Sequence, residues 1–290
     1  LPSSPYIDET AYKSGLKPTE DHLWGPRDYF KSDFYKNNAA AFVSETGYHG
    51  CPSLESIKKF ITPECVWPYY NNSEWILHSS DQNGNDARVM LMEKQVRQLF
   101  GLVPTEPEDY ILASQISQAE AKKYFIESFR VAKWRKTGLL WWNVADGWPQ
   151  VSDAIVDWYG CKKLAYHYIK RSQQPVVLAF DEPETDTAMT LYGINDTTKD
   201  VTVSYRVRNI TDGTVVAKAS STLTAEKSSR LLTVDIEKDE KKFYVMEWEY
   251  TDGETVTRGR NHFHTNLINI DYKAYKSAME AADMLEIEGF

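Results

Sequence analysis

Two short apolar runs mark the first half of the chain, one over 39–43 and the other over 138–145. Continuous apolar stretches of this length are typical of parallel strands that are buried on both faces. Apolar residues at helical spacing accompany them, over about 86–100, 115–134 and 161–172. Residues 1–173 are therefore predicted to form βα units on a parallel sheet.

The pattern changes to alternation of apolar and polar residues after position 173. The alternation is clearest over Val201–Arg208 and Tyr244–Tyr250, and the turn dipeptides Asp212-Gly213 and Asp252-Gly253 lie between or beside such segments. Period-two alternation broken by tight turns predicts an antiparallel sandwich of about seven short strands over 174–265.

Helical spacing returns in the tail over 266–290, where Tyr272, Tyr275 and Met279 fall on one face. We expect this tail to be helical and to pack back on one of the domains. The predicted fold class is thus α/β followed by all-β, with boundaries at 173 and 265.

A carboxylate, Glu45, follows the first apolar run directly, within the segment Phe42–Gly50. Gly47 allows the backbone to turn sharply after it. In barrel enzymes catalytic side chains lie at the carboxyl ends of the strands, because the loops there form the pocket. Glu45 is the first candidate catalytic residue, and Asp146 stands at the end of the second run in the same way.

A second polar cluster, Glu20–Pro26, contains His22 and Trp24. Polar groups beside a Trp, bounded by Gly and Pro, are typical of a loop at a strand end. The same residues also fit a His and a Trp packed together for structural reasons, and both readings remain open at this point.

The overall charge of −9 and the pI near 5.3 exclude a basic face for nucleic acid. No stretch approaches the ~18 apolar residues of a membrane span. The three cysteines have no metal-like spacing to any histidine, so neither a metal site nor a disulfide framework is predicted.

Aromatic residues are numerous, with nine Trp and 18 Tyr. They suit large cores or a surface that stacks on flat ligands such as sugar rings. Several of them lie in a predicted long loop over 62–82, where they could either wall a pocket or pin the loop to the domain.

Three motifs together resemble glycoside hydrolase family 2, and within it the β-mannosidase-type branch. They are the run Phe42-Val-Ser-Glu-Thr-Gly with Pro52-Ser53, the cluster Asp21-His22-Leu23-Trp24-Gly25, and the run Gly138–Pro149 followed by Asp157-Trp158-Tyr159-Gly160. The resemblance implies the C-terminal portion of a (β/α)8 TIM barrel followed by an immunoglobulin-like β-sandwich.

The resemblance also implies site residues. The glutamate of Ser-Glu-x-Gly is the nucleophile of that family, which corresponds to Glu45. His22, Trp24 and Trp142 are expected to line the sugar subsite nearest the scissile bond, with a retaining double-displacement mechanism and no cofactor. The chain departs from the β-mannosidase-type pattern at Thr46, His49 and Ala145, which leaves the sugar open.

The family takes its general acid from an Asn-Glu pair on an earlier strand, and no Asn-Glu dipeptide occurs here. We therefore expect a missing N-terminal part of the same polypeptide to supply the general acid, and we expect these residues alone to be inactive. Enzymes of this family often act on glycans outside the cytoplasm, so the expected location is periplasmic or secreted. The alternatives are a β-galactosidase, β-glucuronidase or glucosaminidase of the same family, or a non-catalytic carbohydrate-binding remnant.

Overall fold

The computed structural model describes residues 10, 13, 19–25, 29–80, 88–181, 187–237 and 239–290. Pro26 of the first polar cluster and the first two positions of the helix predicted over 86–100 lie outside the described residues. The chain divides into two compact units. The first comprises 1–124, 134–167 and 286–290, and the second comprises 125–133 and 168–285.

A parallel sheet organises the first unit. Within the described residues it contains β1 (Glu20–Leu23), β2 (Phe42–Thr46) and β3 (Gly138–Trp141), in the order β1-β2-β3. Both predicted strands are present, and β2 pairs in parallel with each of its neighbours. The second is shorter than its run over 138–145 and is not buried as predicted, since it ends at Trp141 and Leu140 is 55% exposed. The first four residues of the polar cluster that the sequence predicts as a loop form β1, and Trp24 and Gly25 follow it outside the strand.

Strand β2 begins and ends three residues later than the apolar run that predicts it. The extension ends on Thr46, whose side chain is buried and whose hydroxyl donates to the carbonyl of Leu23 at 3.1 Å. A satisfied polar side chain therefore continues the strand beyond the apolar residues. As a result Glu45 lies inside the last part of the strand instead of in the loop that follows.

The helices of this region differ in length from the prediction. Helix α1 covers Asp33–Lys36, α2 Leu54–Ile57, α3 Ser73–Leu77, α4 Arg88–Phe100, α5 Pro107–Val131 and α6 Leu164–Ser172, with a 3-10 turn at Pro63–Cys65. Ser53 caps α2 as predicted, because its side chain accepts from the Ser56 amide.

Helix α5 begins eight residues before its predicted start at 115. Its positions 110–121 are buried on every side, polar ones included, so they carry no apolar stripe that periodicity could detect. Pro107 stands at the first position, where its missing amide hydrogen costs nothing. This proline is the start signal that the sequence does contain.

Of the predicted aromatic loop over 62–82, positions 81 and 82 lie outside the described residues, and the part over 62–80 is anchored by two buried rings. Tyr69 stacks on Tyr110 with ring centroids 4.2 Å apart, and its hydroxyl donates to Glu93 at 2.6 Å. Trp75 is 1% exposed, and its Nε1 donates to the Val66 carbonyl at 3.2 Å. These rings pin the segment to the core.

Two antiparallel sheets form the second unit. Within the described residues one sheet has the order β10-β9-β6-β7 and the other β4-β5-β8. The strands are β4 (Val176–Asp181), β5 (Ala188–Asn195), β6 (Val201–Asn209), β7 (Val215–Leu223), β8 (Lys227–Asp235), β9 (Phe243–Asp252) and β10 (Thr255–His264). The alternating apolar residues of β6 and β9 are buried in one core with those of β4 and β5, which is a sandwich arrangement.

Strand β7 is the fourth strand of the second unit, counted from β4, and it pairs with β6. In the constant-type immunoglobulin arrangement the fourth strand instead joins the sheet of the first, second and fifth strands.

The tail is helical, as predicted: α7 covers Tyr272–Ala281, and Asp271 caps it by accepting from the Ala274 amide.

Candidate active site

The carboxylate of Glu45 is held by a tryptophan from the neighbouring strand. Nε1 of Trp24 donates to Oε1 of Glu45 at 2.7 Å. Nδ1 of His22 lies 3.8 Å from the other carboxylate oxygen, close enough for electrostatic attraction but beyond a good hydrogen bond. The Glu45 side chain is 30% exposed and that of His22 is 57% exposed, so a ligand in solvent can reach both.

The parallel register explains why these three side chains meet. His22 is opposite Glu45 in the pairing of β1 with β2. Side chains two residues apart on an extended chain point to the same side, so Trp24 follows His22 on the face that carries Glu45. Glu45, His22 and Trp24, which the resemblance assigns to one site, therefore lie side by side in the structure.

Hydrogen bonds on the strands fix the position of Glu45 from both sides along β2. The Ser44 hydroxyl donates to the carboxylate of Glu20, and the Thr46 hydroxyl donates to the Leu23 carbonyl. Each bond joins β2 to β1 one residue away from Glu45. The carboxylate thus stands on rigid strands, which is the support that a catalytic group needs.

Trp142 follows β3 directly and joins the same strand end. Its backbone amide donates to the Thr46 carbonyl at 2.8 Å, and its side chain is 57% exposed. In the described structure Trp142 is bonded to this strand end by its backbone amide. Trp24 and His22, in contrast, approach the Glu45 carboxylate with their side chains.

A buried contact between a histidine and an aspartate lies next to the turn that follows Glu45. Nε2 of His49 is 3.3 Å from Oδ2 of Asp153, with side chains that are 0% and 5% exposed. Asp153 also crowds Gly47: a Cβ there would lie 2.7 Å from Asp153 Oδ1 and 2.7 Å from the Trp142 carbonyl oxygen. Only glycine fits this close approach without displacing its neighbours.

Asp153 was not identified from the sequence. It stands 11 residues beyond Trp142 in a segment without periodicity, and nothing local to it indicates a contact with residues 47–49. The sequence did contain one indirect signal, His49, which stands where the family pattern has another residue. A histidine at such a position needs a hydrogen-bonding partner, and Asp153 is that partner.

Asp146, the polar residue at the end of the second apolar run, accepts hydrogen bonds from the loop that follows it. It is 7% exposed, and its Oδ1 accepts from Gln150 Nε2 at 2.9 Å and from Ser152 Oγ at 2.5 Å. These donors hold the loop over 146–152 in a fixed conformation.

Three other features were looked for in the described part of the chain, namely a metal cluster, a disulfide and a membrane-spanning helix. There, no group of three or more His, Cys, Asp or Glu side chains is arranged to hold a metal ion. Cys51, Cys65 and Cys161 are unpaired thiols. No helix among the described residues has the length and apolar character needed to cross a membrane.

Sequence comparison relates the chain to β-mannosidases and to an exo-β-D-glucosaminidase. It is 27% identical over 196 residues to β-mannosidase B of Thermothelomyces thermophilus, covering 61% of this chain and 22% of that enzyme. It is 27% identical over 161 residues to exo-β-D-glucosaminidase of Arthroderma benhamiae, covering 53% of this chain and 18% of that enzyme. The matches therefore span about a fifth of these relatives. No protein-family model matches the chain.

Structural comparison identifies the same fold in larger enzymes. The crystal structure of β-D-mannosidase from Dictyoglomus thermophilum superposes with a TM-score of 0.72 at 23% identity, over 90% of this chain and 31% of that one. An exo-chitosanase from Amycolatopsis orientalis superposes with a TM-score of 0.64 at 20% identity, over 87% of this chain and 31% of that one. Together these similarities confirm the resemblance to the β-mannosidase-type branch of glycoside hydrolase family 2, over a part of such an enzyme.

Proposed function

We propose that this chain is the C-terminal part of a retaining exo-β-glycosidase of β-mannosidase type, with Glu45 as its nucleophile. The observation that carries the proposal is the Glu45 carboxylate, exposed on one side at the end of β2 and oriented by Trp24 Nε1 at 2.7 Å. A fixed, solvent-accessible carboxylate at the carboxyl end of a parallel strand suits nucleophilic attack on an anomeric carbon.

The reaction proceeds in two displacements. Glu45 attacks the anomeric carbon while an acid protonates the leaving oxygen, and water then releases the sugar from the covalent intermediate. The hydrogen bond from Trp24 leaves one carboxylate oxygen bound and the other, Oε2, to attack. In this proposal His22 forms a hydrogen bond with a hydroxyl of the sugar. The indole ring of Trp142 stacks on the face of the sugar ring.

The general acid belongs to a part of the polypeptide outside these residues. Such an acid stands about 5–5.5 Å from the nucleophile in retaining enzymes. In this proposal the sheet β1-β2-β3 is the end of a (β/α)8 barrel, whose remaining strands come from the N-terminal part, and residues 1–173 are barrel material. The isolated chain is then expected to be inactive, because one of two catalytic carboxylates is absent.

A second candidate within the same fold is an exo-β-glucosaminidase. It is favoured by the similarity to the Arthroderma exo-β-D-glucosaminidase, which is as high as that to the β-mannosidase. The departures at Thr46, His49 and Ala145 lie within four residues of Glu45 or Trp142 along the chain, and they leave the sugar open, although Thr46 and His49 are themselves buried. A substrate panel of aryl β-mannoside and aryl β-glucosaminide decides between the two.

The nucleophile is tested in the full-length protein with Glu45→Ala. Turnover of the preferred aryl β-glycoside should be lost, because no carboxylate is left to attack. Azide should restore part of the rate by entering the vacated space, with inverted product configuration seen by NMR. A variant that retains wild-type turnover would refute the assignment of Glu45.

A further inference from the structure

A buried glutamine of helix α5, Gln118, joins the two segments that follow β2 and β3. Its Nε2 donates to the Tyr48 carbonyl at 2.9 Å, three residues beyond Glu45. The same nitrogen donates to the carbonyls of Asp153 at 3.0 Å and Ala154 at 3.2 Å. Gln118 is 0% exposed, so water does not compete for these bonds. One side chain therefore fixes the backbone of both segments.

Packing alone does not explain the Gln118 amide. Its Oε1 has no hydrogen-bond partner among the described residues, and a buried acceptor without a partner lowers stability. A Cβ at Gly50 would lie 2.6 Å from this oxygen, so the amide also restricts position 50 to glycine. An unsatisfied group of this kind is uncommon in native proteins, and it calls for a role beyond filling the core.

The strand pairing is irregular at Glu45 itself. On the β3 side two residues of β2, Ser44 and Glu45, lie between successive pairs where β3 has one residue, Leu140. On the β1 side the register also shifts, between Asp21 and His22. Such irregularities redirect a side chain and interrupt the ladder of hydrogen bonds. The direction of the Glu45 side chain therefore depends on supports outside the ladder.

Gln118 supplies such a support beyond the end of β2. It holds the segment after Glu45 against the segment that carries Trp142 and Asp153, and Gly47 lies in the contact between them. The space of a Cβ at Gly47 is filled by Asp153 Oδ1 and the Trp142 carbonyl oxygen, each at 2.7 Å. Glycine also leaves this backbone more freedom than another residue would. Loss of the Gln118 bonds should therefore let the two segments separate and release the end of β2.

We propose that Gln118 is a positioning residue for Glu45, because its amide holds the end of β2 against the segment that follows β3. The inference rests on the proposed function, since it assigns Gln118 a part in the reaction of that nucleophile. Gln118 acts through the backbone and does not touch the sugar. A carboxylate that moves away from its line of attack reacts more slowly, even when the sugar is bound as before.

The test removes the donor from the full-length enzyme with Gln118→Met, which keeps the length of the buried side chain. A 2-deoxy-2-fluoro β-glycoside reacts slowly with the nucleophile, so its time course gives a dissociation constant and a rate constant of attachment for each competent molecule. We expect the rate constant to fall about tenfold and the dissociation constant to change less than about twofold, because orientation is lost while the sugar contacts remain.

Gln95→Met is the matched control. Gln95 of α4 is 1% exposed in the same unit, and its amide has no hydrogen-bond partner among the described residues. A rate constant in Gln118→Met within about twofold of the wild type would overturn the proposal, because a purely structural role lowers the number of competent molecules and not the rate of each. An equal fall in Gln95→Met would overturn it too. Gln118→Asn, one carbon shorter, is held to the same limits if Gln118→Met does not fold.

The indole proton of Trp24 reports the same geometry without catalysis, because it is bonded to Glu45 Oε1. Its NMR signal, assigned with Trp24→Phe, should shift in Gln118→Met and keep its position in Gln95→Met. This measurement separates the two proposals. A wild type that forms no adduct on Glu45 refutes the proposed function, whereas an indole signal that Gln118→Met leaves unchanged refutes the role of Gln118.

Discussion

Removal of the indole N–H beside Glu45 is the most informative single perturbation of the site. Trp24→Phe keeps an aromatic ring but deletes the donor 2.7 Å from Glu45 Oε1. A hydrogen bond to a charged group contributes about 1.5–3 kcal/mol. Because the Glu45 side chain is 30% exposed, water replaces part of this bond, and the lower value of about 1.5 kcal/mol applies. We expect kcat/KM to fall about tenfold.

The assay is steady-state hydrolysis of an aryl β-glycoside by the full-length enzyme. KM should change little, since the phenyl ring still offers a stacking face, and the loss should lie in kcat because the carboxylate is less well oriented. Trp134→Phe serves as the control for a tryptophan outside the site. Wild-type kcat/KM in Trp24→Phe, with the control also normal, would refute the role of this hydrogen bond.

Two further predictions concern buried groups of the first unit. Asp153→Asn removes a carboxylate oxygen that lies 3.3 Å from Nε2 of the buried His49, so urea unfolding should show a loss of about 1–3 kcal/mol, part of which His49→Gln restores; a loss below about 0.5 kcal/mol would contradict a stabilising contact here. Burial raises the pKa of Cys51 to about 12, so at pH 8 only about one thiol in ten thousand is ionised, and iodoacetamide should label Cys51 only after unfolding; rapid labelling in the native protein, read by mass spectrometry, would be the opposite result.

The sequence was informative where local pattern and local chemistry coincide. Apolar runs located β2 and β3, and the carboxylate that follows the first run directed attention to Glu45, whereas Trp142 was expected only from the family resemblance. Alternation located β6 and β9 of the sandwich, since one face of each strand is buried and the other is exposed. These features depend on residues that are adjacent along the chain.

Other features depend on contacts between distant residues, and the sequence does not contain a local signal for them. Helix α5 is buried all round near Tyr110, so its first turns lack periodicity. His49 and Asp153 are in contact but lie 104 positions apart along the chain, and the stacked rings of His78 and Trp148 are 70 positions apart. Contacts between residues so far apart in sequence can be identified only from the folded structure, in which the loops that carry them lie side by side.

The central claim, that Glu45 is a nucleophile, is tested most directly by trapping the covalent intermediate. The full-length protein is incubated with a 2-deoxy-2-fluoro β-glycoside that carries a good leaving group, because the fluorine slows release of the sugar more than its attachment. Proteolysis and mass spectrometry should then find one fluoro-sugar on the peptide that contains Glu45, with none in Glu45→Gln. A sugar attached to another carboxylate, or hydrolysis with inversion and without any adduct, would contradict this account.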